Sequence, residues 1–183
     1  CKMNTIKLHD LYFKPFIKEE EINNIVQALV QQVAADCKGE TPLFIGILNG
    51  SFMFVSDFVK AYKEDCEISF VKLASYEGTS TTEKVKQLVG LNEDLEGRTV
   101  VILEDIIDTG NTLQEIYEIF KDKRVKQLKI ATLFFKPDVF KKELPIDYIG
   151  KSIPDKFIVG YGLDYNGLGR NYPAIYQLTT TQQ

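Results

Sequence analysis

Residues 100–113, VVILEDIIDTGNTL, combine three carboxylates with a turn of small residues directly after an apolar run. Glu104 and Asp105 are adjacent, and Asp108 follows after two isoleucines. Carboxylate oxygens accept hydrogen bonds from sugar hydroxyls and hold Mg²⁺. The backbone amides of the next four residues, Thr109–Thr112, together with the start of a following helix, suit a phosphate. A phosphate holder beside a diol holder describes a site for a 5-phosphoribosyl group.

Each of these groups also has an ordinary structural interpretation. An acidic pair after a strand often marks only the point where the chain reaches the surface, and Asp108 is a suitable helix N-cap. His9 is the only histidine and lies far from the acidic stretch, so we expect it to be exposed or structural. A single histidine excludes His-based catalytic triads and His-rich metal sites.

The elements around these residues are predicted to alternate between strand and helix. Apolar residues at helical spacing predict three helices, and short apolar runs predict strands. Helices are expected over 18–37, 51–63 and 111–122, strands over 43–48, 66–75, 88–92, 99–104 and 128–136, and extended segments over 146–154, 156–166 and 173–178. This alternation predicts an α/β fold with a mostly parallel central sheet covered by helices on both faces.

In such sheets, ligands bind at the carboxyl ends of the strands. Four predicted strand ends carry polar or charged residues that should therefore meet in one crevice: Asn49-Gly50, Ser75-Tyr76, Glu104-Asp105 and Lys136. The stretch 76–87 has one aliphatic residue in twelve, so it cannot pack into a core and is predicted to be exposed and mobile.

Composition bounds the classes of protein to consider. A chain of 183 residues with 44% hydrophobic and 26% charged residues is ordinary for one globular domain. Its net charge of −4 argues against bulk attraction to nucleic acid or to anionic membranes. No apolar run approaches the ~18 residues of a membrane span, no signal-peptide core is evident, and the three cysteines form no CxxC pair. We therefore expect a cytoplasmic protein with no nucleic-acid or membrane partner.

The acidic stretch resembles the phosphoribosyl pyrophosphate signature of the type I phosphoribosyltransferases, and EDIIDTGNT looks like the hypoxanthine-guanine branch. Three more stretches are similar to that branch: GILNGSFMFVSDFV (46–59), SYEGTSTT (75–82) and IPDKFIVGYGLDYNGLGRN (153–171). The resemblance covers nearly the whole chain. It implies one domain over 1–183, with a lid loop near 76–87 and a small hood built from about 1–17 and 153–183.

The resemblance also implies a role for each matching residue. Glu104 and Asp105 would hold the ribose hydroxyls, directly or through Mg²⁺, and Asp108 would be the base at N7 of a purine. The 5′-phosphate would be held by Asp108, Thr109, Gly110, Asn111 and Thr112, and the pyrophosphate by Leu48, Asn49, Gly50, Ser75, Tyr76 and Arg170. The purine would be contacted by Lys136, Phe157, Ile158 and Asp164, with Asp164 also near a second Mg²⁺.

One position departs from the family pattern. The family commonly has lysine at the position of Asn49, often next to a cis peptide bond. Because the contact there is made largely by a backbone amide, the role is expected to survive without the side-chain charge.

The implied reaction is transfer of a 5-phosphoribosyl group to N9 of a 6-oxopurine, with Mg²⁺ as cofactor and a homodimer or homotetramer as the assembly. The choice among hypoxanthine, guanine and xanthine stays open. Rival interpretations are an enzyme of the same fold for adenine, orotate or uracil, and a regulatory protein that keeps the site but binds nucleic acid. A purely structural protein is the weakest alternative, since it has no need of an acidic strand end.

Overall fold

A computed structural model of the chain describes residues 4–75, 86–91 and 94–180. Within these ranges the helices are α1 (Glu19–Asp36), α2 (Phe52–Ala61) and α3 (Asn111–Phe120). The strands are β1 (Ile6–Leu8), β2 (Leu11–Ile17), β3 (Leu43–Leu48), β4 (Glu67–Ser75), β5 (Lys86–Val89), β6 (Thr99–Ile107), β7 (Gln127–Phe135), β8 (Tyr148–Ser152), β9 (Ile158–Val159) and β10 (Ile175–Thr179). None of these helices is long and apolar enough to cross a lipid bilayer.

The larger sheet has the order β5-β4-β3-β6-β7-β8. Every neighbouring pair in it is parallel except β4 and β5, which run antiparallel at one edge. The predicted mostly parallel sheet is therefore confirmed. Because the parallel strands share one direction, the residues that follow β3, β6, β7 and β8 emerge at the same edge.

Strand β6 shows why this sheet is covered on both faces. Its residues are apolar without a break from Val100 to Leu103 and are all buried, which is typical of a strand packed on two sides. Val101 and Leu103 face a core built with α1 and α2. Val100 and Ile102 face a second core built with α3. The polar end of β6 is thus held by a strand that is anchored from both sides.

The smaller sheet is antiparallel, has the order β1-β2-β10-β9, and combines segments from both ends of the chain. Phe13 is fully buried in its own small core with Val159 and Tyr176. This sheet corresponds to the hood expected from 1–17 and 153–183. Just after β9, Gly162 lies so close to the β3–α2 loop that a Cβ atom there would overlap the carbonyl oxygen of Gly50.

Several strand predictions differ in extent from the structure, and two of these differences bear on the site. Strand β6 continues to Ile107 instead of ending at Glu104, because its pairing with β7 runs on to Phe135. The segment 156–166 is a strand only at Ile158–Val159. Beyond it, Gly160, Tyr161 and Gly162 have positive φ, which ends the extended conformation.

The predicted mobile stretch 76–87 overlaps the structure only at its end. Lys86 and Gln87 belong to β5, which pairs with β4, so these two residues are part of the sheet and not of a loop. Residues 76–85 lie outside the described part of the chain.

Candidate active site

A cleft of about 420 Å³ lies at the carboxyl ends of β3 and β6. The backbone after β3, the end of β6 and the turn into α3 form its core-side wall, while a hood turn closes the other side. Predicted residues that line the cleft are Leu48, Gly50, Glu104, Asp105, Asp108, Thr109, Gly110, Asn111, Thr112, Asp164 and Arg170. The expected convergence of strand ends is therefore observed for these groups.

The acidic pair stands at the centre of the cleft. Glu104 is 4% exposed, and burial, followed by the neighbouring charge of Asp105, raises its pKa well above the ordinary value. Burial also raises the pKa of Asp105, although the Ile106 amide donates to its Oδ1 at 2.8 Å and opposes the shift. A buried carboxylate and a partly buried one next to each other would be stabilised in their charged forms by a cation or by hydroxyl donors.

Gly50 makes room for the carboxylate of Asp105. A Cβ atom at position 50 would overlap Oδ2 of Asp105, so a side chain there would displace this carboxylate. Within the described ranges no group of three or more His, Cys, Asp or Glu side chains forms a metal cage. Glu104 and Asp105 are the kind of donors by which Mg²⁺ is usually held, since one or two carboxylates commonly bind it while waters and substrate oxygens complete its shell.

The turn from Thr109 to Thr112 joins β6 to α3. Helix α3 begins at Asn111, its N-cap residue is Gly110 with φ 87°, and no side chain bonds the cap. The alternative role of Asp108 as N-cap is therefore wrong, because the cap lies two residues later. A helix start of this kind, with no side chain occupying its first amides, is suited to an anion.

Lys136 lies directly after β7 and is 6% exposed. Its amide donates to the Ile107 carbonyl at 3.0 Å, which places the residue beside the end of β6. Its ammonium contacts two carboxylates, with Nζ 3.0 Å from Oδ2 of Asp108 and 3.1 Å from Oδ1 of Asp155. Lys136 does not itself line the cleft but adjoins it through Asp108.

Asp164 and Arg170 form an ion pair across the hood side of the cleft. Their side chains approach to 2.7 Å, and Nη1 of Arg170 donates to the Gly162 carbonyl at 2.7 Å. Asp164 also accepts from the Gly167 amide at 2.7 Å. Both residues predicted for metal, base or pyrophosphate contact are thus oriented by the same hood turn.

Phe157 and Ile158 lie beyond the cleft lining. Phe157 is 45% exposed, and its ring is 6.0 Å from Phe13 and 5.9 Å from Tyr165, centroid to centroid. Ile158 is buried in β9, where it pairs with Gln177. The Phe157 ring is therefore exposed and packs beside Phe13 and Tyr165, but it is not among the residues that line the cleft around the acidic pair.

The remaining predicted residues lie around the β3 and β4 ends. The Leu48–Asn49 peptide bond is cis, as the resemblance anticipated. Ser75 is the last residue of β4, and Tyr76 falls outside the described ranges.

Asp155 is a site residue that the sequence reasoning missed. It stands in a proline-containing segment with other charged residues, IPDK, where a carboxylate is unremarkable in sequence. Only the pairing of β7 with β8 shows that it meets Lys136.

Comparison with known proteins agrees with this geometry. The phosphoribosyl transferase domain family matches residues 18–166. The hypoxanthine-guanine phosphoribosyltransferase of Staphylococcus aureus is 40% identical over 169 residues, which are 92% of this chain and 94% of that protein. The enzyme of the same name from Staphylococcus epidermidis is 41% identical over 160 residues, 87% of this chain and 89% of that protein.

Solved structures of related proteins share the fold. The hypoxanthine-guanine phosphoribosyltransferase of Bacillus anthracis, with a HEPES molecule in its active site, superposes with a TM-score of 0.83 at 36% identity, covering 91% of this chain and 98% of the other. The hypoxanthine phosphoribosyltransferase of Staphylococcus aureus gives a TM-score of 0.83 at 40% identity, covering 91% of each chain. The chain therefore belongs to the phosphoribosyltransferase family, in its hypoxanthine-guanine branch.

Proposed function

We propose that this protein transfers the 5-phosphoribosyl group of phosphoribosyl pyrophosphate to N9 of hypoxanthine or guanine. The products are pyrophosphate and the nucleoside 5′-monophosphate, IMP or GMP, as in purine salvage. Similarity to enzymes named for this activity supports the reaction class. The choice of base rests on the contacts of Lys136.

The observation that carries the proposal is the pair formed by Lys136 and Asp108 beside the phosphate turn. An ammonium has only hydrogen-bond donors, so it selects an oxo group over an amine. The 6-oxo oxygen and N7 of a 6-oxopurine are neighbours on one edge of the ring. A donor and a carboxylate 3.0 Å apart match that edge, with Lys136 at the oxygen and Asp108 at N7.

The phosphoribosyl half would occupy the cleft. We assign the 5′-phosphate to the amides and hydroxyls from Thr109 to Thr112, and the ribose hydroxyls to Glu104 and Asp105. These two carboxylates, with Asp164, would hold Mg²⁺, and glycine at position 50 allows the Asp105 carboxylate to lie where it does. Mg²⁺ bound there would neutralise part of the charge on the pyrophosphate.

The chain's own contribution is positioning and charge stabilisation. Breaking the bond from C1′ to pyrophosphate develops positive charge on the ribose ring, and the protein gains most by holding both reactants in line. The guanidinium of Arg170 and the backbone amides of the Leu48–Gly50 loop would stabilise the leaving pyrophosphate. Asp108 would hold the N7 proton while N9 acts as the nucleophile.

Water must be kept from the ribosyl cation, since hydrolysis would waste the donor substrate. The hood covers one side of the cleft. We assign the other cover to the lid expected near 76–87, with Ser75 and Tyr76 at its base, although residues 86 and 87 belong to β5.

A steady-state assay with one base at a time tests this function. Each reaction would contain phosphoribosyl pyrophosphate and Mg²⁺ with hypoxanthine, guanine, xanthine, adenine, orotate or uracil. We expect turnover with hypoxanthine and guanine, and none with adenine or the pyrimidines. Activity with adenine but not hypoxanthine would overturn the proposal.

Lys136→Ala separates the base site from the phosphoribosyl site. Loss of the ammonium should raise KM for hypoxanthine by about 10-fold, the effect of a lost charged hydrogen bond, and leave KM for phosphoribosyl pyrophosphate within about twofold of the wild-type value. Equal weakening of both substrates in calorimetry would argue against Lys136 as the base contact. Exposed Lys123, on the turn after α3, provides the matched control as Lys123→Ala.

A further inference from the structure

Asp155 is a second carboxylate on the ammonium of Lys136, and the proposed reaction gives it no role. Its Oδ1 lies 3.1 Å from Nζ of Lys136, nearly the same distance as Oδ2 of Asp108. The Lys136 side chain is 7% exposed, whereas that of Asp155 is 55% exposed. The buried ammonium of Lys136 therefore lies between two carboxylates, one that follows β6 and one that follows β8.

The edge strand β8 delivers Asp155 to this position. Strand β8 pairs in parallel with β7, and the last register pair is Phe135 with Ser152. The ladder continues one step further, since the Ile153 amide donates to the Phe135 carbonyl at 2.8 Å. The chains that leave β7 and β8 therefore start side by side, and Lys136 and Asp155 are the charged residues that meet there.

Three N–H bonds of an ammonium are available as donors. Among the described residues, two of them are directed to Asp108 and Asp155, so one donor remains. With Asp108 as the only partner, two N–H bonds would remain for other acceptors. Asp155 takes one of these, which leaves a single N–H bond that points away from both carboxylates.

We propose that Asp155 is a positioning residue that orients the Lys136 ammonium toward the 6-oxo oxygen of the purine. This role rests on the proposed function. Asp155 is not among the residues that line the cleft, and in this proposal it acts on the purine only through Lys136. It also supplies half of the counter-charge, which leaves Asp108 free to accept from N7.

The test is Asp155→Asn, with hypoxanthine and 6-mercaptopurine as paired substrates. Sulfur is a weaker acceptor than oxygen, so the thio analogue gains less from an oriented donor. The variant should lower kcat/KM for hypoxanthine by about 3- to 10-fold, as expected for one hydrogen bond. The fall for 6-mercaptopurine should be clearly smaller, and KM for phosphoribosyl pyrophosphate should stay within about twofold.

The matched control is Asp138→Asn, which makes the same change of charge. Asp138 is exposed and stands two residues after Lys136, and the described residues show no ion pair for it. This variant should keep the wild-type ratio of the two substrates. Asp155→Glu, which retains the carboxylate, should restore part of the preference for the oxo substrate.

A double-mutant cycle excludes a merely structural role. In the Lys136→Ala background, Asp155→Asn should have no further effect on hypoxanthine, because the group that it orients is gone. Equal losses for the oxo and thio substrates, or an undiminished effect without Lys136, would overturn the proposal. A wild-type enzyme inactive on 6-oxopurines would instead overturn the proposed function, so the two failures are distinguishable.

Discussion

Asp108 serves two neighbours at once, because it lines the cleft and also accepts a hydrogen bond from the Lys136 ammonium. Its side chain is 45% exposed, which agrees with the proposed contact between this carboxylate and a purine. Lys136 contacts Oδ2, so Oδ1 is the oxygen that we assign to N7. Since the N-cap residue of α3 is Gly110 and no side chain bonds the cap, the Asp108 carboxylate does not cap this helix.

Asp108→Asn should lower kcat by about 10²-fold or less, the low end of general acid–base effects. The loss is limited because cleavage of the bond to pyrophosphate continues without the base, and the amide keeps the shape of the carboxylate. Single-turnover and steady-state rates with hypoxanthine measure the change. An unaltered kcat would remove Asp108 from proton transfer, and Asp138→Asn again controls for charge.

The site could be predicted at some residues and not at others for a physical reason. Glu104, Asp105 and the turn from Thr109 to Thr112 are contiguous in sequence, so their chemistry was visible before the fold was known. Asp155 needed a tertiary fact, the register of β8 on β7. Phe157 was predicted to stack on the purine base. Its ring is exposed, but it lies outside the residues that line the cleft.

At the scale of elements, α2 is what fixes the loop from Leu48 to Gly50. The helix starts two residues after Gly50, and its buried residues are Phe54, Val55 and Phe58. The ring of Phe58 is edge-on to Phe44 of β3 at 5.1 Å and to Phe54 at 5.8 Å. Strand and helix on either side of the loop are thus held together by aromatic contacts.

Phe58→Ala should therefore cost about 3–5 kcal/mol of stability, through lost burial and the cavity left behind. Urea unfolding followed by circular dichroism measures this free energy. Phe52→Ala is the matched control on the same helix, since Phe52 is 43% exposed and its removal should cost far less. Equal losses for the two variants would contradict the packing described here.

The predicted elements agree best where hydrophobic patterning decides the structure. Strand β3 has the predicted bounds, and α1 is shorter by one residue at each end. Boundaries were wrong where hydrogen bonding or glycine geometry decides, as at the end of β6 and after β9. Strand β5 was shifted because its weak pattern gains stability only from pairing with β4.

At the scale of the whole molecule, desolvation raises the pKa of two tyrosines, the buried Tyr62 and the partly buried Tyr117, from 10.0 to about 12. Tyr62 has no hydrogen-bond partner for its hydroxyl among the described residues. The Tyr117 hydroxyl donates to the Pro145 carbonyl at 2.9 Å. Both side chains therefore have a raised pKa. They differ in that, among the described residues, only the neutral hydroxyl of Tyr117 makes a hydrogen bond.

The folded protein should lose stability as pH rises above 10. A raised folded-state pKa means that the unfolded chain releases its proton first, so the stabilisation is complete below pH 10 and is lost up to about pH 12. Tyr62→Phe should make this decline shallower by up to about 1.4 kcal/mol per pH unit. Urea unfolding between pH 7.5 and 11.5 measures the slope.

The two variants should differ at neutral pH. Tyr62→Phe loses no hydrogen bond and should be at least as stable as wild type at pH 7.5, while Tyr117→Phe should lose about 1 kcal/mol. A large neutral-pH loss for Tyr62→Phe would show that its hydroxyl has a partner after all.

The β4–β5 pairing should allow the segment between these two strands to be replaced by a short turn. Ser75 and Lys86 are direct partners in the ladder, so residues 76–85 begin and end at one rung. Exchanging them for an Asn-Gly hairpin turn should leave the sheet intact. The shortened enzyme should fold with wild-type stability yet lose most of its donor substrate to water, which the ratio of hydrolysis to transfer would report. The stability of the sheet and the exclusion of water from the active site would then depend on different parts of the chain and could be engineered separately.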